Sequence, residues 1–229
     1  MNSFARDFPI VCVGGSAGGF AAYVQLLRHL SPETGAAIVF VNHIRKTPAA
    51  LHNLLPDSTK LPVELITEGL PIQPNHVFIV PENCDLHLLG GLFRLRPISK
   101  PYGWPDVITV FLRSLAQNWS GKLVAVIVSG LDADGAGALR EIKEAGGVTI
   151  AQAPDTAQWS DMPTSAIRTG YIDYILAVED IAQKIAQIAM EFPPGGGVQH
   201  ERSVRIIATE QLIGGLLRSR RTRVLFSHR

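Results

Sequence analysis

Three polar residues in the sequence could together carry out acyl transfer: Ser16, His43 and Asp134. Each comes at or shortly after the end of an apolar run that is typical of a buried β-strand. A serine hydroxyl becomes an effective nucleophile when a neighbouring imidazole removes its proton, and a carboxylate holds that imidazole in the correct tautomer. Because ligand sites in parallel α/β sheets lie at the carboxyl ends of the strands, the pattern predicts a Ser-His-Asp triad at one sheet edge.

Each of these residues also has a simpler structural interpretation. His43 would then cap hydrogen bonds at the sheet edge, and Asp134 would be the N-cap of a helix that begins after Gly135. Asp132 competes with Asp134 for the role of the acid, and the pattern alone leaves that choice open. The coincidence of three such residues at three strand ends favours the catalytic interpretation.

Ser16 lies in the glycine-rich turn Gly14–Gly19, for which three uses compete. A dinucleotide-binding turn needs glycine at the position of Ser16, and a P-loop needs Lys followed by Ser or Thr where the chain has Phe20 and Ala21. The spacing Gly-x-Ser-x-Gly instead fits a nucleophile elbow, which raises a serine above a sheet edge beside a helix N-terminus. We expect the glycines to keep side chains away from Ser16.

The order of the three residues along the chain separates this pattern from the α/β-hydrolases. Those enzymes place the acid before the histidine, and here the histidine comes before the acid. The serine here also follows the first predicted strand. The sequence therefore argues against an α/β-hydrolase despite the Gly-x-Ser-x-Gly match.

Predicted strands and helices alternate along the chain, which indicates an α/β fold with a doubly wound, mostly parallel sheet flanked by helices. The predicted strands lie at about 9–14, 36–42, 61–66, 76–80, 122–128, 147–152 and 174–176. The predicted helices lie at about 18–29, 47–55, 105–118, 136–145, 162–168 and 178–191. The segments 85–89 and 92–95, separated by two glycines, indicate a small antiparallel hairpin insertion.

The composition favours one sizeable domain, since the 229 residues are 46% hydrophobic and 18% charged. The sequence has no apolar run of 18 residues and no signal peptide, so we expect a cytoplasmic protein without membrane insertion. Cys12 and Cys84 lie in or beside predicted strands and are expected to be buried free thiols. No Cys/His group has metal-binding spacing, so we predict neither a metal nor a cofactor.

The net charge of +1 is unevenly distributed along the chain. Residues 198–229 contain seven Arg and two Glu, which leaves residues 1–197 net acidic and argues against nucleic-acid binding there. Residues 193–197 are two prolines and three glycines, which indicate a linker. We therefore predict a catalytic domain at 1–192 and a linker with a basic tail at 193–229. The tail is either poorly ordered or an amphipathic helix that docks on a partner or an anionic surface.

The chain resembles the catalytic domain of the chemotaxis protein-glutamate methylesterases, which demethylate bacterial chemoreceptors. The resemblance covers about residues 8–190 and rests on five separate motifs in the right order. The motifs are Val13–Gly19, Val41–His43, Glu68–Pro81, Ser129–Ala136 and Asp155–Ile167.

The resemblance implies a catalytic triad of Ser16, His43 and Asp134, and so selects Asp134 over Asp132. The implied substrate is a glutamate methyl ester on the cytoplasmic helices of a methylated chemoreceptor, hydrolysed through an acyl-enzyme to glutamate and methanol. Many members of the family also deamidate receptor glutamine by the same acyl chemistry.

The resemblance also places an oxyanion-binding amide at Leu131, where methionine is usual, and Ala17 is assigned as further backbone support. Familiar members carry an N-terminal phosphoacceptor domain, whereas this sequence begins at the first strand of the esterase. We therefore expect no control in cis, and a separate phosphoacceptor regulator or a methyltransferase as partner. The segment Pro105–Phe111 has Ile108 where the family has an acidic residue, which bears on substrate preference if that segment contacts the receptor.

Two functions of other classes compete with the esterase. A non-catalytic receptor-binding or signalling module of the same fold would use the cleft without turnover. A nucleotide or phosphate binder at the glycine turn lacks both the second fingerprint glycine and the P-loop lysine. The presence of all three triad residues favours the enzyme.

Overall fold

The computed structural model describes residues 8–42, 48–100 and 105–192. His43, residues 101–104 and the predicted linker and tail at 193–229 lie outside the described residues, so the domain boundary at 192 stays a prediction. The strands are β1 Ile10–Gly15, β2 Ala37–Asn42, β3 Val63–Leu65, β4 His76–Ile79, β5 Cys84–Leu89, β6 Leu92–Pro97, β7 Leu123–Ile127, β8 Val148–Gln152 and β9 Tyr174–Leu176. The helices are α1 Gly19–His29, α2 Pro48–Leu54, α3 Val107–Asn118, α4 Leu139–Glu144, α5 Asp161–Arg168 and α6 Val178–Met190.

The described strands form a seven-stranded sheet in the order β3-β4-β2-β1-β7-β8-β9, and every neighbouring pair in it is parallel. The chain runs from β1 at the centre through β2 to one edge, returns to β7 beside β1, and continues to the other edge. The direction in which successive strands are added to the sheet therefore reverses between β1 and β7. The crevice outside the carboxyl ends of these two strands is where such sheets bind their ligands.

Both faces of the sheet are buried, because successive residues of β1 point to opposite cores. Ile10 and Cys12 belong to one core, which also contains the buried residues of α3 and α4. Val11 and Val13 belong to the other core, which contains the buried residues of α1 and α6. Burial on both faces explains why the strands appear in the sequence as continuous apolar runs.

The predicted hairpin is present as β5 and β6, which pair antiparallel. Its turn is made by Gly90 and Gly91, at φ angles of 64° and 82°, a combination that two-residue hairpin turns with positive φ require. The hairpin packs on α3, where the Leu88 amide donates a 2.9 Å hydrogen bond to the hydroxyl of Ser114.

The fold class predicted from the sequence is confirmed, and most predicted boundaries agree with the structure to within one or two residues. The predicted helix at 136–145 is instead a 3₁₀ turn at Ala136–Ala138 followed by the short helix α4. Cys12 and Cys84 are both free thiols, but only Cys12 is fully buried. Partial burial, together with the charge of Asp85, raises the pKa of Cys84 to about 11. In the described part of the chain no helix is long and apolar enough to cross a bilayer.

Asp173, directly before β9, is hydrogen-bonded to β8 and to α4. Its carboxylate accepts hydrogen bonds from the amide of Thr149 at 2.9 Å, from the hydroxyl of Thr149 at 3.0 Å and from Lys143 Nζ at 2.5 Å. Burial alone raises the pKa of Asp173, but the hydrogen bonds from Lys143 and Thr149 outweigh it and hold this pKa below its ordinary value.

Replacing Asp173 by asparagine is therefore expected to lower the free energy of unfolding by about 1 kcal/mol at pH 7. A carboxylate with a lowered folded-state pKa stabilises the fold above its unfolded-state pKa and loses this effect as the pH falls through the folded-state value. The difference between wild type and D173N, measured by urea denaturation, should therefore shrink below about pH 4. D57N, at an exposed aspartate, is the control, and its free energy of unfolding should match that of the wild type both at neutral pH and in acid. A D173N deficit that persists undiminished at pH 2.5 would contradict the assignment.

Candidate active site

Ser16 lies in the turn between β1 and α1, at the carboxyl end of the central strand. Its amide donates a 2.9 Å hydrogen bond to the carbonyl of Ser129, and its own carbonyl accepts one of 2.9 Å from the amide of Gly19. Gly18, the N-cap of α1, has φ of 74°, and a Cβ added there would lie 2.6 Å from Ser129 Oγ. The turn thus has the strand-turn-helix form of a nucleophile elbow, and only glycine fits at the position of Gly18.

Gly14 and Gly15 serve packing beneath Ser16 rather than access to it. A Cβ on Gly14 would lie 2.6 Å from Ile108 Cγ2, and a Cβ on Gly15 would lie 2.6 Å from the hydroxyl of Tyr23. Side chains of α3 and α1 therefore occupy the space that these glycines leave. Our expectation that the glycines keep side chains away from Ser16 is wrong for these two positions.

The segment that follows β7 runs alongside the elbow. A Cβ added to Gly130 would lie 3.0 Å from Ser16 Cβ and 1.8 Å from Met162 Sδ. The Gly130 carbonyl accepts a 3.0 Å hydrogen bond from the amide of Met162. Because the peptide bond is planar and trans, the N–H of Leu131 points away from Met162.

The amides of Ala17 and Leu131 have no hydrogen-bond acceptor among the described residues. The carbonyl on the other side of each peptide is held, that of Ser16 by Gly19 and that of Gly130 by Met162. Amides held in this way beside a nucleophile are suited to stabilising the negative oxygen of a tetrahedral intermediate. The Leu131 side chain is 43% exposed, so a large substrate can approach this side of the turn.

A Gly130→Ala substitution is expected to lower the free energy of unfolding by about 1–3 kcal/mol, because the added methyl overlaps Met162. The control is G137A, where the nearest atoms to an added Cβ lie 3.8 Å away and stability should not fall. Urea denaturation followed by circular dichroism measures both variants, and equal stabilities would contradict the close packing described here.

Asp134 is 6% exposed and caps a helix that lies far from it in the sequence. One carboxylate oxygen accepts from the amide of Ile108 at 2.9 Å, and the other accepts from the amides of Thr109 at 2.9 Å and Gly135 at 2.8 Å. Ile108 and Thr109 are in the first turn of α3, whose own N-cap, Asp106, makes no side-chain capping bond. The carboxylate of Asp134 thus lies at the positive end of α3, where a negative side chain interacts favourably with the first backbone amides of a helix.

Asp132 has a different environment. Its Oδ1 accepts a 2.7 Å hydrogen bond from the amide of Asp134, two residues further on. This is the side-chain turn that aspartate commonly forms within loops. The structure therefore gives Asp132 a part in shaping the loop that carries Asp134. The interpretation of Asp134 as N-cap of the helix after Gly135 is wrong, because the helix that it caps is α3.

The structure thus places Ser16 and the amides of Ala17 and Leu131 at one position beyond β1 and β7. Asp134 is fixed at the start of α3, whose residue Ile108 packs against Gly14 directly before the elbow. His43 lies outside the described residues, so its place in the triad stays a prediction. Within the described ranges, no three His, Cys, Asp or Glu side chains form a group that could hold a metal ion.

A family model described as CheB methylesterase matches residues 11–185, which is most of the chain. The chain belongs to the CheB methylesterase family. A protein-glutamate methylesterase/protein-glutamine glutaminase of Pseudomonas aeruginosa is 33% identical over 181 residues, which are 78% of this chain and 54% of that protein. One of Pseudomonas fluorescens is 34% identical over 192 residues, which are 82% of this chain and 56% of that protein. The chain thus spans about half the length of the curated relatives it matches.

The crystal structure of the Thermotoga maritima CheB methylesterase catalytic domain is similar to this fold, with a TM-score of 0.73 and 29% sequence identity. The match covers 79% of this chain and 98% of that one. The resemblance predicted from the motifs is thereby confirmed, and so is the fold class.

One departure from the CheB motif pattern is explained by packing. Ile108 stands where the motif resemblance predicts an acidic residue, and its side chain is fully buried against Gly14 and Gly135. A fully buried side chain makes no direct contact with a docked protein.

Two buried polar residues beside the CheB elbow were not singled out from the sequence. Ser129 is 1% exposed and Gln152 is 3% exposed, and the Gln152 side-chain oxygen accepts a 3.0 Å hydrogen bond from the amide of Ser129. Both lie at the carboxyl ends of parallel strands, β7 and β8. The rule that selected Ser16, His43 and Asp134 would therefore have found them, had it been applied to every strand.

Proposed function

We propose that the chain is a serine esterase that hydrolyses glutamate methyl esters on the cytoplasmic helices of a chemoreceptor. Membership of the CheB family supports the reaction class, as do the activities for which the Pseudomonas relatives are named. The main structural support is the position of Ser16 beside two amides, those of Ala17 and Leu131, that have no acceptor among the described residues.

In the proposed first step, Ser16 Oγ attacks the ester carbonyl while His43 takes the hydroxyl proton. The carbonyl oxygen becomes an oxyanion, which accepts hydrogen bonds from Ala17 and Leu131. Asp134 orients the imidazole and stabilises its positive charge. Collapse of the intermediate breaks the bond to the methoxy group, which leaves as methanol after taking the proton from His43.

In the second step a water molecule attacks the acyl-enzyme, with His43 again accepting the proton. The bond between the acyl carbon and Ser16 Oγ breaks, and the proton returns to the serine. The product is the carboxylic acid of the glutamate side chain, which loses its proton to solvent and leaves as the carboxylate. With receptor glutamine as substrate, ammonia leaves in place of methanol and the remaining chemistry is the same, which agrees with the second activity in the relatives' names.

The surroundings of the elbow suit a protein substrate. Three large apolar side chains, those of Phe20, Leu131 and Trp159, are 36%, 43% and 44% exposed. All three belong to segments that are hydrogen-bonded to the Ser16 turn or continuous with it. Exposed apolar side chains of this kind are common where proteins dock. A separate phosphoacceptor regulator or methyltransferase as a further partner stays a prediction.

The test is hydrolysis of a helical receptor peptide that carries glutamate γ-methyl ester at one position and glutamine at another. Methanol release measures esterase activity, ammonia release measures glutaminase activity, and mass spectrometry identifies the residue that changes. Labelling with a fluorophosphonate followed by peptide mapping should identify Ser16 as the reactive serine. Binding of the peptide without release of either product, and without labelling, would support the non-catalytic receptor-binding module instead.

A further inference from the structure

Ser129 links the Ser16 turn to two neighbouring segments of the chain. Its carbonyl accepts the amide of Ser16 at 2.9 Å, and its hydroxyl donates a 2.8 Å hydrogen bond to the carbonyl of Ala17. The same hydroxyl accepts a 2.9 Å hydrogen bond from the amide of Trp159. The hydroxyl therefore donates a hydrogen bond to the elbow and accepts one from the segment before α5.

Trp159 is in turn hydrogen-bonded to Gly130, the residue that precedes Leu131. The Trp159 carbonyl accepts a 3.0 Å hydrogen bond from the amide of Gly130. The hydroxyl of Ser129 is thus connected on one side to the peptide that follows the Ala17 amide. On the other side, through Trp159, it is connected to the residue that precedes the Leu131 amide. The single buried hydroxyl of Ser129 therefore connects the segment that carries the Ala17 amide to the segment that carries the Leu131 amide.

Gln152 fixes Ser129 itself. Its side-chain oxygen accepts the amide of Ser129 at 3.0 Å, and its side-chain nitrogen donates to the carbonyl of Thr156 at 3.0 Å. Thr156 lies on the loop that leads to Trp159. Ser129 and the loop that leads to Trp159 are therefore both hydrogen-bonded to one side chain at the end of β8.

We propose that Ser129 is a positioning residue, whose hydroxyl sets the distance between the Ala17 and Leu131 amides. This inference rests on the proposed function. Oxyanion donors act when they lie about 2.7–3.1 Å from the charged oxygen, and displacements well below 1 Å already weaken them. Ser129 touches no substrate, and its effect on the reaction passes through the two amides.

The experiment compares Ser129→Ala with a matched control, Ser114→Ala. Ser114 is also a buried serine, and its hydroxyl also accepts from one backbone amide and donates to one carbonyl, both of Leu88. It lies on the hairpin side of α3, away from the elbow. S129A is expected to lower kcat about 10- to 100-fold with KM unchanged, whereas S114A keeps kcat within about twofold of wild type. Thermal unfolding should show similar losses of stability in the two variants.

A second measurement separates positioning from general loosening of the fold. A peptide in which a boronic acid replaces the side-chain carboxyl group of the glutamate forms a tetrahedral adduct with the nucleophile, and one of its oxygens occupies the oxyanion site. Its inhibition constant should rise in S129A by about the same factor as kcat falls, and should not change in S114A. Ser129→Cys, which keeps the shape of the side chain but hydrogen-bonds poorly, should repeat the result and replaces S129A if that variant does not fold.

The inference is overturned if kcat of S129A and S129C stays near wild type, or if kcat falls while boronate inhibition does not weaken. In either case an active wild-type protein leaves the proposed function standing. A wild-type protein that releases no methanol and no ammonia refutes the proposed function itself, whatever the variants do.

Discussion

Replacement of Ser16 by alanine is expected to lower kcat for methyl-ester hydrolysis by about 10⁶-fold, by analogy with the loss of the nucleophile in other triads. The loss is large because the acyl-enzyme cannot form and water must attack the ester directly. The substitution keeps the Cβ that lies beside Gly130 and leaves the backbone bonds to Ser129 and Gly19 in place. Methanol release over long incubations measures the residual rate.

S16A should therefore fold like the wild type, and this separates loss of chemistry from loss of structure. Circular dichroism and the urea midpoint should agree between the two proteins, and binding of the methylated peptide should persist. S114A serves as the control for removal of a buried serine hydroxyl. Normal turnover by folded S16A would refute the assignment of the nucleophile.

Asp134→Asn is expected to lower kcat by about 10⁴-fold, as the same change of the acid does in other triads. An asparagine favours the wrong tautomer of the imidazole and does not stabilise its positive charge. It also carries a structural cost, because both carboxylate oxygens of Asp134 accept backbone amides. Either orientation of the asparagine sets its NH₂ group against an N–H donor of α3, which should lower the free energy of unfolding by about 1–3 kcal/mol.

The matched control is Asp132→Asn, two residues earlier on the same loop. The asparagine keeps the oxygen that accepts the amide of Asp134, so the turn is retained and kcat should stay within about tenfold of wild type. The kinetics of both variants are measured in buffer, well below the urea concentration at which either unfolds. A larger loss in D132N than in D134N would reverse the roles of the two aspartates.

Much of the fold could be predicted from the sequence because both faces of the sheet are buried. Burial on both faces makes each strand a continuous apolar run, and Gly, Pro and polar residues mark the turns between runs. The hairpin turn at Gly90 and Gly91 was recognisable for the same local reason. The prediction was less accurate at residues 136–145, where the apolar periodicity did not distinguish a 3₁₀ turn with a short helix from one longer helix.

The sequence by itself determined the parallel sheet, the serine on a strand-to-helix turn and the acidic loop after β7, since each depends on residues close together along the chain. Only the tertiary structure decided what these residues contact. The carboxylate of Asp134 caps α3 by accepting the amide of a residue 26 positions earlier, and Ser129 donates to a carbonyl 112 residues away. Gly14 and Gly15 make room for side chains of two different helices. Contacts between distant segments leave no periodicity or spacing in the sequence, so the supports of the Ser16 turn became visible only once the strands were assembled.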